Sequence, residues 1–525
     1  MSHHDVNRKQ TTKPETSNSD SRKADNNELD NDDRHPSRTN LVHRLSVALD
    51  DELANNLGHD QDQQARRVIA RRKTFTVHHL KELFENEFGA RLVDYGKTTA
   101  SIVRQFCNEI PMTDDTPFYI VNLSHYARQY LQWLHFLGRI HPFYAVKCNP
   151  NGFIVRIIAE MGGGFDCASA EELDLVRATC GVDFDYATRI IFAHPCKSVS
   201  HIKRFREAGV QMTVVDNEDE LKKLKEHWPE AKVLLRLKPD DKGSLSPFST
   251  KFGANELECI TLLRMARVLG VQLVGCSFHV GSRCLDAQIY MQSLRLARRL
   301  FDIAGRDEFG FDFKVLDIGG GFSGHNWDKP SFPEVAKLIN KTLDKLFPES
   351  EGITLMSEPG RYFASGGMTL VVRIIARRIH NQDYKSQEEV IKLERSYSLP
   401  TNSLVQAANT DESTVSEQVL IECAENIYYI NDGIYGTFNA IIFDHKVFTV
   451  HYLKIGEQEK NPKQYKSVIF GPTCDSVDCI AHSIDLPLLE IGDVLWFPDV
   501  GAYTSACASN FNGFKTKKYM FIWKG

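Results

Sequence analysis

The sequence predicts an α/β protein: a TIM-type (β/α)8 barrel joined to a second, discontinuous all-β domain. Three observations carry that expectation. Eight apolar strand candidates alternate with amphipathic stretches over about 240 residues, the count and span of one barrel. Residues fit for chemistry close nearly every one of those strands, as they do at the C-terminal rim of a barrel. Beyond residue 366 the helical rhythm stops and short β-rich runs take over. An open doubly wound sheet is the alternative reading of the alternation, and the strand ends argue against it.

The 525 residues are enough for two or three domains, and a hydrophobic content of 42% is ordinary for a globular core. A formal net charge of −6 gives no strong pull toward nucleic acid or an anionic membrane, so neither is expected as a partner. No apolar run approaches the ~20 residues a membrane helix needs. Met1-Ser2-His3-His4-Asp5 does not open a signal-peptide core. Twelve scattered cysteines form no CxxC pair. They read as reduced thiols of a cytoplasmic protein rather than a disulfide framework or a zinc site, and no metal is expected.

Residues 1–72 are polar and charged with few aromatics, the composition of a disordered extension. Within it Leu41–Leu49 has some apolar content and suits a transient helix, so the segment reads equally as an inert tail or as a recognition or turnover signal. Order is expected near Thr74. Residues 73–123, with a helix-like stretch over 101–108 and a strand at Pro117–Val121, form the N-terminal part of the β domain. The barrel takes 124–366. Its strands are expected at Phe143–Lys147, Gly164–Ser169, Ile190–Pro195, Met212–Asn217, Val233–Lys238, Leu273–His279, Val315–Gly319 and Thr354–Glu358. Helical patterns such as Leu257–Leu269 and Asp286–Ala304 separate them, the latter with Ile289, Leu296 and Leu300 near one face. Residues 367–525 complete the β domain, with runs at Thr369–Ile379, Val419–Ile430, Val447–Leu453, Tyr465–Phe470, Val494–Phe497 and Tyr519–Trp523. A polar stretch at about 386–418 reads as a disordered insertion.

The first barrel strand runs into a single lysine, Lys147, before Asn149-Pro150 ends the ladder. A buried ammonium is costly unless paired, so its pKa is expected to fall and leave a nucleophilic amine. Alone, the same lysine reads as well as one that snorkels out of the strand mouth. The other strand ends add Asp166 and Ser169, Arg236, His279 and Ser282, Gly319, Gly320 and Gly321, then Glu358, Gly360 and Arg361. Three glycines bare the backbone for an anion, although by themselves they spell a tight turn. Ser282 and the forked donors of Arg361 suit the same anion from neighbouring strands. An amine and a phosphate site on one rim point to pyridoxal 5'-phosphate. That cofactor needs a lysine, a phosphate anchor and a carboxylate, here Glu358, against its ring nitrogen. His279 closes its strand where it can stack on the ring; elsewhere a lone histidine reads as a hydrogen-bonded core residue.

Long motifs in fixed order then carry a resemblance. Pro142–Asn149, Gly164–Ser169, Phe278–Ser282, Asp317–Phe322, Glu358–Tyr362, Gly471–Asp475 and Gly501–Tyr503 closely resemble eukaryotic ornithine decarboxylase, in a fungal-like form with a long N-terminal extension. The match runs from about residue 92 to the C-terminus. The resemblance implies a fold-type III pyridoxal phosphate enzyme, a homodimer with active sites shared across its interface, that converts L-ornithine to putrescine as the entry step of polyamine biosynthesis. It implies that Lys147 bonds the cofactor aldehyde, that Glu358 pairs with the ring nitrogen and that His279 stacks. It gives the phosphate to Ser282, Gly321, Gly360, Arg361 and Tyr503, with Asp166, Glu172 and Arg236 lining or orienting the site. Cys474 is implied as proton donor, Asp475 and Asp444 as partners of the substrate's distal ammonium with Phe511 nearby, and Lys251 and Asp478 as a pair bridging subunits. Two carboxylates are also the plain chemical answer to a substrate whose far end is a cation, and a thiol beside the reacting carbon can act as an acid.

The chain departs from many relatives at Ser476 and His194, neither of them central, and the extended C-terminal tail of vertebrate forms is expected to be absent. Other decarboxylases of the same fold, acting on lysine, arginine or diaminopimelate, remain alternatives; diaminopimelate enzymes carry Cys-Glu where this chain has Cys474-Asp475. A catalytically dead, antizyme-binding regulator is the alternative from a different class. The resemblance also makes an antizyme-type protein inhibitor a candidate partner, at residues 196–223 with Lys197, Lys203, Arg204, Arg206, Lys222 and Lys223, a stretch that equally reads as a solvated helix face.

Overall fold

The strand Ile140–Ala145 is almost wholly buried, the pattern of a parallel strand covered on both faces. It opens a closed barrel of eight parallel strands, continued by Gly164–Asp166, Ile190–Phe192, Met212–Val215, Lys232–Leu237, Gln272–Phe278, Val315–Asp317 and Thr354–Ser357, the last pairing back with the first. The structure, a computed structural model, describes residues 77–111, 113–240, 244–246, 248–325, 328–379, 421, 424–455 and 462–525. The chain divides into units Met1–Val47 and Ala48–Gly525, and every described residue lies in the second. Residues 1–72 and 386–418 lie outside the described residues, so the expectations placed on them do too.

All eight strands fall where the pattern put them, but most end sooner on the rim side. The first stops at Ala145, and Lys147 sits in the tight helical turn Val146–Cys148, closed by the Asn149 N–H donating to the Val146 carbonyl at 3.1 Å. The physical reason recurs around the rim: polar residues that close a strand are taken over by the following helix. Ser169 caps Ala170–Cys180 by accepting the Glu172 N–H at 3.3 Å, and Asn217 caps Glu218–His227 through the Glu220 N–H at 3.0 Å. Asn255 and Glu258 form a capping box on Glu256–Leu269, which Gly270 ends in the left-handed conformation.

A nine-stranded sheet stands beside the barrel. Phe118–Asn122, which precedes the barrel in sequence, pairs antiparallel with Met368–Ile379 and parallel with Lys518–Lys524, both of which follow it. The run expected at Val447–Leu453 is a strand only over His451–Leu453. Cys479–Pro487, a strand the sequence reading did not find, pairs with Gln464–Phe470 at the sheet's end. Its mixed, half-exposed residues hide the alternation of a strand with one buried face. The sheet is clamped onto the barrel beside Lys147. The Asn149 amide donates to the Gly501 carbonyl at 2.7 Å, and the Tyr503 N–H to the Cys148 carbonyl at 3.0 Å. Behind the rim, the helix Leu123–Leu137 buries Trp133 against Phe322, Phe332 and Tyr362, with its indole N–H donating to the Ile140 carbonyl at 2.8 Å. Among the described residues no helix is long and apolar enough to cross a membrane.

Closure of the barrel depends on Gly275. A Cβ there would stand 1.8 Å from the Val315 carbonyl oxygen on the neighbouring strand, whereas one at Gly89 would meet nothing within 4 Å. Gly275→Ala is therefore expected to cost on the order of 4 kcal/mol or more and collapse the soluble yield. Gly89→Ala, strained only by its positive φ, should cost about 1–2 kcal/mol. Urea unfolding midpoints of the two variants check the contrast.

Candidate active site

Lys147 projects from its turn into a cleft at the barrel rim, with 37% of its side chain exposed. Its amine donates to Asp166, a fully buried residue that ends the second strand. Burial alone would lower the lysine pKa, as the sequence suggested, but here Asp166, Glu358 and Tyr503 together outweigh burial and hold the ammonium above its ordinary range. The expected neutral amine is thus corrected for the unliganded chain: the pairing carboxylate lies on another strand, 19 residues on, out of reach of a local reading.

Glu358 follows the eighth strand and Asp317 ends the seventh. Both are buried, and burial pushes both carboxyls up, Asp317 to about 6. Glu358 rises well above its ordinary value, with Asp317 and Asp166 adding to the effect of burial. His279 accepts the Gly281 N–H on Nδ1 at 3.1 Å, which leaves the proton on Nε2; burial, with Arg236 and Lys147 nearby, keeps the ring neutral. The ring lies 4.8 Å from that of Phe248. Gly320 has to be bare, because a Cβ would approach His279 Nε2 to 2.8 Å. Gly319 and Gly321 both have positive φ, at 64° and 105°.

On the other side of the cleft Arg361 donates to the Ser282 hydroxyl at 3.1 and 3.3 Å and makes a two-pronged pair with Asp444 at 2.7 and 2.9 Å. Its guanidinium lies 4.9 Å from the Tyr503 ring. Gly360 and Gly321 complete this wall. Arg236 sits over Phe252, close enough to act on both His279 and Asp317. Glu172 accepts the Ala168 N–H at 2.7 Å, and burial pushes its carboxyl up to about 7.

The rim therefore gathers Lys147, Asp166, Arg236, His279, Ser282, the three glycines, Glu358, Gly360, Arg361, Tyr503 and Asp444. Cys474, Asp475 and Phe511 do not line the cleft. Asp475 instead accepts a hydrogen bond from Tyr435, whose ring packs 4.3 Å from Phe511, and Cys474 beside it is exposed. Asp478 is 1% exposed and spent on its own chain, accepting the Ile434 N–H and the Thr473 N–H and hydroxyl. In the basic stretch 196–223, Lys197 is buried on Glu220, while Arg204 pairs with Asp174 and Arg206 with Glu230. Sequence reading missed Asp317, Tyr435 and Lys446. Lys446 donates to the Asp499 carbonyl, and burial lowers its pKa to about 8. For Asp317 the signal was present: an acid two residues ahead of a glycine run.

The residues fit pyridoxal phosphate on their own chemistry. Asp166 Oδ1 and Asp317 Oδ2 are buried with no partner, a surplus of negative charge that a cationic ring would balance. Arg361 and Ser282 converge as phosphate donors beside a backbone kept bare of side chains. A model described as the pyridoxal binding domain of pyridoxal-dependent decarboxylases matches residues 123–365. The solved arginine decarboxylase of Paramecium bursaria Chlorella virus is 29% identical and has a TM-score of 0.68, with 80% of this chain and all of that one covered. Fold and rim together define a fold-type III pyridoxal phosphate enzyme.

Relatives narrow the class. Ornithine decarboxylase of Mus musculus is 39% identical over 441 residues, covering 83% of this chain and 87% of that protein. Antizyme inhibitor 2 of Xenopus laevis is 40% identical over 434 residues, covering 82% and 86%. The chain belongs to the pyridoxal-dependent decarboxylase family that includes the eukaryotic ornithine decarboxylases.

A group with a raised carboxyl pKa favours folding below its unfolded pKa, and that stability is lost as pH rises through its folded pKa. For Glu172 the window runs from about 4.3 in the unfolded chain to about 7 in the folded one. Glu172→Gln keeps an acceptor for Ala168 but cannot ionise. Across that window wild type should lose on the order of 2–3 kcal/mol that the variant keeps, read from urea midpoints of both proteins at either end of the window.

Proposed function

We propose that the chain decarboxylates L-ornithine to putrescine in the cytoplasm, at the entry to polyamine biosynthesis, as a homodimer with shared sites. The observation that carries this reading is the Lys147–Asp166 pair held in one cleft with Glu358 and the Arg361–Ser282 donors. Bound pyridoxal phosphate supplies the electron sink that receives the bonding pair of the departing carboxylate. Every other task falls to side chains. Lys147 would hold the cofactor's aldehyde carbon, and the ammonium proton would pass to Asp166 when the amine must be free. Glu358 would face the ring nitrogen, and His279, which lines the same cleft, would pack on the ring. Arg361, Ser282, Gly321, Gly360 and Tyr503 fix the phosphate and with it the orientation of the bond to be broken.

At the substrate's far end, Asp444, held on Arg361 at the rim, is the first carboxylate. In this structure it is shared with Arg361, so a distal ammonium and a phosphate would divide what is now one ion pair. Asp475, with Phe511 beside it, is the second carboxylate. Cys474 is the acid that returns a proton to the reacting carbon. Both residues are exposed or half-exposed on their own chain, which supports delivery into a partner's cleft.

Similarity to antizyme inhibitor 2 favours a second reading, a regulator that binds antizyme without turnover. Retention of Lys147, Asp166, Glu358, Arg361, Cys474 and Asp475 weighs against it. Similarity to an arginine decarboxylase keeps other basic amino acids in view. Carbon dioxide release from ornithine, lysine and arginine, compared side by side, separates the three. Ornithine should win. No release from any of them, in a protein that carries no visible cofactor absorbance, would establish the regulator instead.

Lys147→Ala should abolish the visible absorbance of bound cofactor and nearly all turnover. Asp475→Ala should raise the KM for ornithine by at least about tenfold, since a charge loses its partner, while Cys474→Ala should mainly lower kcat.

If sites are shared, mixing inactive Lys147→Ala and Cys474→Ala proteins should restore up to roughly a quarter of wild-type activity by random subunit exchange, because one site in each mixed dimer is intact. Absence of recovery, with exchange verified independently, would put both residues in one subunit's site.

A further inference from the structure

The rim holds one carboxyl that the proposed chemistry leaves without a task. Asp317 is fully buried, and its Oδ1 accepts the Gly319 N–H at 2.8 Å. That bond alone would explain an aspartate before a glycine turn. Its Oδ2 is buried with no partner, which such a turn does not explain. The missing partner is next to it. Gly319, tied by its N–H to Asp317, accepts through its carbonyl both the Glu358 N–H at 2.8 Å and the Ser357 hydroxyl at 2.5 Å. One glycine thus fixes both acidic residues, and their carboxyls lie within hydrogen-bond reach of each other. Two carboxylates at that range cannot both be ionised, and neither can donate unless one carries a proton. The charged groups facing the pair are Lys147 and Asp166 from the first two strand ends and Arg236 from the fifth strand. Asp166 meets Lys147 through one oxygen and leaves the other unpartnered, whereas Gly319 ties Asp317 and Glu358 to each other, which places the proton between those two.

We propose that Asp317 is a positioning residue that shares one proton with Glu358, holding the Glu358 carboxyl at the rim and storing there the proton that the cofactor's ring nitrogen takes on binding. The inference rests on the reading that Glu358 faces that nitrogen. The raised pKa of both groups agrees with a stored proton at neutral pH. The consequence is a linkage. Wild type supplies the proton from within. Without Asp317, Glu358 loses its anionic neighbour, ionises, and the proton has to come from solvent, so binding weakens as pH rises.

The test is titration of the full-length protein, freed of cofactor, with pyridoxal phosphate. Wild type and Asp317→Asn, which keeps an acceptor for the Gly319 N–H, are compared across roughly two pH units around neutrality. The ratio of variant to wild-type Kd should grow by up to about tenfold per pH unit, the signature of one extra proton taken up. Proton sharing predicts that slope and a purely structural role does not, so a ratio flat with pH overturns the proposal. Should the variant fail to fold, the infrared spectra of wild type and Glu358→Gln still decide: beyond the protonated-carboxyl stretch that Glu172 gives to both at neutral pH, wild type should show a further component that cofactor binding removes and that Glu358→Gln lacks, and absence of that component overturns the proposal. Glu358→Gln also separates the two levels. If it binds pyridoxal phosphate as tightly as wild type, the reading of Glu358 falls and the inference with it. If it binds weakly while the Asp317→Asn ratio stays flat, only the inference falls.

Discussion

One ammonium faces several carboxyls at the heart of this protein, and the rest of the rim is arranged around that imbalance. Among the described residues Lys147 is the one lysine lining the cleft, while Asp166, Asp317 and Glu358 are buried around it. Each charge withdrawn from water costs several kcal/mol before any pairing, by about the same order for anion and cation. Asp166 recovers its cost from Lys147. The remaining two carboxyls cannot be held by that amine as well; they have Arg236 near Asp317, and without a shared proton the site as folded is short of positive charge. A cationic ring suits such a place better than a neutral one. The same imbalance makes Lys147 structural as well as chemical: removing it leaves the buried Asp166 without its cation, a cost below that of breaking a fully buried pair because Lys147 itself reaches solvent. Loss of function and loss of stability are therefore coupled at this residue.

The phosphate side shows the opposite excess and draws on both parts of the fold. Arg361 comes from the barrel, yet its partner Asp444 and its neighbour Tyr503 come from the segment that builds the sheet. Tyr503 reaches the rim because its N–H is tied to the Cys148 carbonyl and because Asn149 holds the Gly501 carbonyl. Those bonds involve the two residues that follow Lys147. The turn that presents the amine is thus the same turn that anchors the sheet, and neither half of the cleft is complete without the other.

Much of this was legible in the sequence because barrel strands advertise themselves twice: by apolar runs, and by polar residues where those runs meet the rim. Lys147, Asp166, His279, Glu358 and Arg361 were all found that way. What the sequence hid were distances between strands. It showed that Lys147 is buried but not that Asp166 meets it, so the sign of the pKa shift came out reversed. It showed three glycines at 319–321 but not that the first of them ties Asp317 to Glu358. Asp444 and Asp475 were read as two partners of one substrate cation, and that reading stands as a proposal; what the sequence hid was what each meets on its own chain. The fold sets Asp444 on Arg361 and leaves Asp475 with Tyr435, because those contacts join loops that no local pattern connects.

The division between the two ends of the site has a consequence for how it can work. The cofactor end is electrostatically furnished within one chain, but among the described residues no thiol lines the cleft. Cys148, the nearest in sequence, is fully buried, with its pKa pushed up to about 12 by burial, and it packs against Gly360 rather than opening to the cleft. On the proposed function, a proton donor for the reacting carbon would come from outside that lining. Cys474 is exposed, and Asp475 next to it is already oriented by Tyr435 and by the Val477 N–H at 3.1 Å. An ordered acid on a free surface is what a shared site requires: it is set by its own chain before assembly and needs only a neighbour's cleft to act on. On the proposed shared site one subunit would fix the cofactor, its partner would supply the acid and the second carboxylate, and recognition of a substrate with a distal cation would be conditional on assembly.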